Sequence, residues 1–203
     1  MSESDLWFET ERLIVRRFEE RDVQDILEYS QHEPSDEHRR RNVGWELTED
    51  GVRQWWTPMV AMKPEEAIQW LSLVIELTAE RRVIGNIGFN AKRIGGAFQG
   101  QIGWILGKRD EGNGYVTQAA TALLDHLFDS VGFHRVYAMT SPDNRRSWQL
   151  MERLGMRREA HFIKNCYHDS GWTDEYVYAI LAEEWHRLRQ GSGVRFSGPP
   201  PTA

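Results

Sequence analysis

Residues 101–131 read QIGWILGKRDEGNGYVTQAATALLDHLFDSV. The stretch Gln101–Gly107 is short, apolar and rich in β-branched and aromatic residues, which predicts a strand. Arg109, Asp110, Glu111, Gly112, Asn113 and Gly114 follow, and then a helix predicted over Tyr115–Val131. Its Val116, Ala119, Ala120, Leu123, Leu124, Leu127, Phe128 and Val131 fall on one apolar face. Glycines just before a helix let backbone N–H groups converge on one small space, where the helix dipole adds about half a positive charge. Such a turn is an anion cradle that a diphosphate fits. The spacing is Gly-x-Gly alone, without the third glycine of a dinucleotide fingerprint or the Gly-Lys-Ser/Thr of a Walker A loop. On spacing alone, a tight strand-to-helix turn that merely needs glycine serves equally well.

Outward from this stretch, Leu13, Val15 and Phe18 with arginines between them predict a first strand. Glu20–Ser30 carries Val23, Ile26, Leu27 and Ser30 at helical spacing, with Asp22 in its first turn. Residues 32–62 lose periodicity and read as a polar, Trp-bearing loop or short-helix region. Pro64-Glu65-Glu66 opens a predicted helix to about Ser72. Leu73–Leu77 and Val83–Asn90 are predicted strands around TAERR, and KRIGGAFQG is a Gly-rich hairpin connection into residues 101–107. Residues 134–141 predict a strand and Arg145–Leu154 a helix stopped by Gly155. AHFIKNCYH and DEYVYAILAEEW predict two more strands around a DSG turn. This order is an α+β layout, a mostly antiparallel sheet with one βαβ crossover. A single domain over residues 10–185 is expected, followed by a helix end and a flexible Gly/Ser/Pro tail over 186–203.

Composition narrows the function classes. A chain of 203 residues that is 40% hydrophobic and 28% charged has enough core to fold without disulfides or a metal staple. Cys166 is the only cysteine, so a reducing, cytoplasmic location is expected. The opening MSESDLWFETERL lacks the basic and apolar regions of a signal peptide, and no apolar run approaches the roughly 20 residues of a membrane span. A net charge of −6 argues against nucleic acid as a partner and favours a cationic ligand such as an amine. His32 and His38 with neighbouring acids lack a metal-ligand spacing, so no metal is expected.

The run Arg109-x-x-Gly112-x-Gly114 before a long helix resembles the acetyl-CoA pyrophosphate loop of the GNAT N-acetyltransferase superfamily. Other segments resemble its RimJ/RimL branch, the ribosomal-protein N-terminal acetyltransferases. ETERLIVRRF is similar to its opening strand, VIGNIGF to a hairpin strand and GNGYVTQA to its cofactor loop and helix start. FHRVYAMTSPDNRRSWQLMERLGM is similar to its next strand and helix, and REAHF with DEYVYAILAEEW to its closing strands. The motifs occur in order over nearly the whole chain.

The resemblance implies a mixed, mostly antiparallel sheet of about seven strands, splayed into a V and flanked by helices. It also implies direct transfer of acetyl from acetyl-CoA to a primary amine, either a protein N-terminus or a small molecule. Pantetheine would pair with the strand holding Ile102, Trp104, Ile105 and Leu106. Arg109, Gly112, Asn113, Gly114 and Tyr115 would hold the pyrophosphate end. Asn144 and Ser147 stand where the family contacts the pantetheine arm and the thiol, which makes Ser147 a candidate proton donor to the departing thiolate. Asn144 also suits a helix N-cap, and Ser147 a plain first-turn residue.

The general base is less defined. Gln101 stands where relatives often carry Glu, and Gln takes no proton at neutral pH. Glu159 is the remaining acidic candidate, with His161 two residues on and a water relay as alternatives. Trp45, Trp55 and Trp56, beside Glu46, Glu49 and Asp50, are candidates to bind a cationic acceptor together with Gln101, or else to cover the sheet or a dimer contact. Two alternatives stay open, a polyamine or antibiotic acetyltransferase and a non-catalytic acyl-CoA-binding module. Homodimerisation through a sheet edge or the Trp-bearing loops is a further expectation.

Overall fold

A computed structural model describes residues 8–31, 46–168 and 171–192. Nine strands occur among them: β1 (Phe8–Glu9), β2 (Leu13–Arg16), β3 (Leu71–Leu77), β4 (Arg82–Phe89), β5 (Lys92–Ile94), β6 (Ala97–Leu106), β7 (Phe133–Thr140), β8 (Arg157–His168) and β9 (Gly171–Leu181). They form one sheet in the order β1-β2-β3-β4-β6-β7-β9-β8, with β5 folded back on β6. Every pairing is antiparallel except β6 with β7. The five described helices are α1 (Val23–Ser30), α2 (Glu49–Trp56), α3 (Tyr115–Asp129), α4 (Arg145–Arg153) and α5 (Ala182–Ser192).

The sheet is covered on both faces along β3, where every residue of LSLVIEL is buried, Ser72 and Glu76 included. Alternation along β3 sends Leu73 and Ile75 into the larger core, with Ile87, Ile102, Leu123 and Leu127. Val74 goes to the smaller core under α1 and α2, with Phe18, Ile26, Val52 and Trp56. Glu76, on that second face, is buried because Arg16 is buried beside it. The guanidinium donates to Glu76 (2.8 Å) and to both oxygens of Asp22 (2.8 Å each). Removing one member of such a network typically costs about 3–5 kcal/mol, because a charge is left buried without its partner. The network therefore locks α1 to the sheet in one register.

Three sequence expectations change. The helix expected from Pro64 to Ser72 is a single 3-10 turn, Pro64–Glu66. Ala67 leaves helical geometry at ψ 52°, and Leu71 and Ser72 pair with Phe89 and Gly88, so sheet pairing takes the residues that helix spacing claimed. The last strand does not run to Trp185. The Glu184 carboxylate accepts the Leu181 N–H at 2.8 Å and starts α5, which seats the Trp185 indole N–H on Asp125 at 2.8 Å. The two strands beyond the expected seven are the short β1 and β5.

Candidate active site

The site begins where β6 changes partners. Beside β4, the Asn90 N–H donates to the Gln101 carbonyl (3.0 Å) and the Gly107 N–H to the Ile84 carbonyl (2.8 Å). Antiparallel alternation therefore turns the backbone of Gln101, Gly103 and Ile105 to β4, and that of Ile102, Trp104 and Leu106 the other way. On that other side β7 pairs only as far as Gln101 with Tyr137, and then continues with β9 through Ala138 and Thr140. The sheet thus opens into a wedge beside Ile102, Trp104 and Leu106, whose N–H and C=O groups face the gap left by β7. Ile105 does not belong to this set. Its backbone faces Asn86 and its side chain packs on the smaller core.

At the wide end of the wedge the loop into α3 is held from behind. Asp110 is buried, and Arg82 donates to both its carboxylate oxygens at 3.0 and 2.8 Å. The Asn113 side-chain amide donates to the carbonyls of Asp110 (3.1 Å) and Glu111 (3.3 Å), which directs those acceptors inward. Gly112 has φ +83° and Gly114 φ +76°. A Cβ at Gly112 would meet nothing within 4 Å, so glycine is required there by the backbone angle and not by space. Gly114 is the N-cap of α3, no side chain caps that helix, and its first turn contains no acid. The first-turn N–H groups and the positive dipole end are left open, as an anion site requires.

Arg109 is not aimed at this cradle. It is exposed and pairs with Glu28 at 3.2 Å and Glu80 at 3.9 Å, on α1 and the β3–β4 turn. The arginine beside the glycines is Arg12, whose Nη2 lies 3.8 Å from the Cβ position of Gly114 and whose guanidinium sits over the Tyr115 ring. Sequence reasoning saw Arg12 only as strand alternation. Asp110 and Arg82 were equally unmarked, since nothing local links residues 28 positions apart.

Across the gap, Asn144 caps α4 by accepting the Ser147 N–H at 3.2 Å. The Ser147 hydroxyl is half-buried and makes no hydrogen bond among the described residues. Arg146, between them, pairs with Glu111 of the cradle loop and ties the start of α4 to it.

Glu159 lies in a bulge of β8, hydrogen-bonded by Arg135 at 2.5 Å and Arg157 at 2.6 Å. Burial pushes its carboxyl up, but the two guanidiniums outweigh this and hold it below the usual carboxylate range. His161 contacts Asp174 at 2.7 Å.

The expected tryptophan wall is not formed by Trp56. That ring is 2% exposed and stacks on Phe18 in the smaller core, 5.9 Å between centroids. Trp55 packs against the same core, and Trp45 lies outside the described residues. Glu49 and Asp50 are paired with Arg53 at 2.9 and 3.3 Å. Trp104 belongs to the strand that lines the wedge, and Trp70 lies over Gly88 and Gly103, a directly opposed pair on β4 and β6.

A sheet that parts between two parallel strands, with a glycine anion cradle at the head of the helix joining them, defines a CoA-dependent acyltransferase. Comparison with known proteins agrees. Residues 12–157 match the family described as acetyltransferase (GNAT) domain, and the chain belongs to that family. It is 32% identical over 177 residues to the uncharacterized N-acetyltransferase YnaD of Bacillus subtilis, covering 87% of this chain and 98% of that one. It is 26% identical over 181 residues to the [ribosomal protein uS5]-alanine N-acetyltransferase of Escherichia coli, covering 87% and 91%. A solved GNAT-family acetyltransferase from Bacillus anthracis superposes with a TM-score of 0.71 at 31% identity, over 88% of this chain and 99% of that one. The protein is an acetyl-CoA-dependent N-acetyltransferase.

Proposed function

We propose that this enzyme acetylates the α-amine of a protein or peptide, by direct attack on the thioester of acetyl-CoA. The observation that carries the reading is the wedge between β6 and β7, with the open end of α3 at its mouth. Acetyl-CoA fits these features, because its pantetheine amides match the free strand groups and its pyrophosphate the cradle. Similarity to the uS5-alanine acetyltransferase supports a protein acceptor. The pairing of Glu49 and Asp50 with Arg53 removes two of the acids that favoured a polyamine.

In this reading Gly112, Asn113 and Gly114 hold the pyrophosphate with the first turn of α3. The backbone of Ile102, Trp104 and Leu106 aligns the pantetheine, and one of their N–H groups polarises the carbonyl. The amine nitrogen forms the new C–N bond as the C–S bond breaks. Its proton leaves through water, because Glu159 is engaged by two guanidiniums and is a weakened base. The Ser147 hydroxyl protonates the departing thiolate and regains its proton from solvent.

The test is free-thiol release with acetyl-CoA and two acceptor panels, peptides with varied first residues and polyamines, with the products read by mass spectrometry. Peptide acetylation is expected, and turnover confined to polyamines would overturn the protein-acceptor reading. Ser147→Ala is expected to lower kcat by about 100-fold, the usual size of a lost proton donor, while Glu159→Gln leaves kcat within a few-fold. A comparable loss in Glu159→Gln would return the base role to that carboxylate.

A further inference from the structure

We infer that Arg12 is a phosphate ligand for the CoA portion of the substrate, a role that rests on the acetyl-CoA reading above. The backbone around Arg12 is held from two sides. The Leu13 N–H donates to the Thr10 hydroxyl oxygen at 3.0 Å, closing a tight turn, and the Arg12 carbonyl accepts the Thr78 N–H at 3.1 Å. The side chain leaves this fixed point toward α3, with its guanidinium carbon 4.8 Å from the centroid of Tyr115 and Nη2 against Gly114.

Electrostatics makes the placement informative. In an acidic chain, Arg16, Arg53, Arg82, Arg109 and Arg146 each pair with a carboxylate, whereas Arg93 and Arg158, like Arg12, lie over an aromatic ring but away from any helix N-terminus of the site. Arg12 is exposed and has no carboxylate partner among the described residues; what it meets there is the face of Tyr115 and the backbone turn at Gly114. The group it faces instead is the N-terminus of α3, uncapped and without an acid in its first turn. A guanidinium beside the positive end of a helix is repelled by it. The two become mutually favourable once an anion lies between them. A phosphate meets both demands, since it takes backbone N–H groups on one side and the planar guanidinium fork on the other. Stacking on Tyr115 holds that fork in place before the ligand arrives. CoA offers two such groups, the pyrophosphate and the 3′-phosphate, and the chemistry Arg12 recognises is common to both.

The experiment is calorimetric titration of wild type, Arg12→Gln and Arg12→Lys with CoA, 3′-dephospho-CoA and pantetheine. Arg12→Gln is expected to bind CoA roughly 10- to 100-fold more weakly, the range for a lost charge-assisted hydrogen bond, with its unligated melting temperature unchanged. Arg12→Lys keeps the charge without the fork and should fall between. A gap that persists with 3′-dephospho-CoA and closes with pantetheine assigns Arg12 to the pyrophosphate; a gap already closed with 3′-dephospho-CoA assigns it to the 3′-phosphate. Equal CoA affinity in wild type and Arg12→Gln would overturn the inference while leaving the transferase reading standing. Failure of wild type to bind CoA would overturn both.

Discussion

Arg82, at the start of β4, holds both carboxylate oxygens of Asp110, in the turn just before the cradle glycines. Both side chains are largely shielded from water, so the fork is a firm anchor for the loop. Asp110→Asn is expected to destabilise the fold by about 1–2 kcal/mol, because Arg82 keeps Glu80 at 2.9 Å but loses the charged two-point fork. CoA affinity should fall with it, and Arg82→Met should behave alike. Thermal unfolding with and without CoA checks this. An Asp110→Asn protein that melts and binds like wild type would show that the fork holds nothing.

Gly112 and Gly114 make separable demands on the backbone. At Gly112 a methyl group finds open space, so Gly112→Ala is expected to cost only the strain of positive φ, about 1–2 kcal/mol. Gly112→Asn should cost less, because asparagine tolerates that region better. Comparing the two by chemical denaturation decides the matter: a clash would penalise the larger Asn more, whereas strain penalises Ala more.

Trp70 covers two glycines with different tolerances. A Cβ at Gly103 would lie 3.3 Å from the indole, whereas one at Gly88 would lie 2.5 Å from it and 2.7 Å from the Leu71 carbonyl. Gly103→Ala is therefore expected to cost under about 1 kcal/mol, and Gly88→Ala about 2 kcal/mol or more. Trp70→Leu should relieve the first substitution. It should leave most of the second, since the backbone carbonyl remains. A double-mutant cycle on unfolding free energies reads this directly, and full rescue of Gly88→Ala would contradict the geometry.

His126 predicts the direction of an acid effect. It is packed against Phe8 at 4.9 Å between rings, and its Nε2 has no hydrogen-bond partner among the described residues. Burial lowers its pKa from 6.5 to about 4. Between those values the unfolded chain binds a proton that the native state refuses. The His126 contribution is thus fully present above pH 6.5 and is lost as pH falls toward 4, by up to about 3 kcal/mol. His126→Leu should flatten the fall in stability over that window, measured by denaturant titration at stepped pH. Parallel curves for the two proteins would mean that His126 is already free to protonate in the fold.

Much of the architecture was legible because it depends on local rules. The Gly112–Gly114 turn reads as it does because glycine reaches positive φ without strain. The helix after it reads because one apolar stripe repeats at 3.6 residues. Helix spacing misled at residues 67–72, where pairing with β4 outweighed it, and strand propensity misled at Ala182, where Glu184 starts a helix.

The sequence by itself determined most of the element order, the α+β class, the glycine turn before α3 and the family, since each rests on patterns a few residues long. Tertiary structure alone decided which side chains meet there. It buried Trp56 under Phe18, drew Arg109 away to Glu28, engaged Glu159 with Arg135 and brought Arg12 to Gly114. Those partners lie 24 to 102 positions apart in the chain, and only the packing of the sheet and its helices brings them within reach.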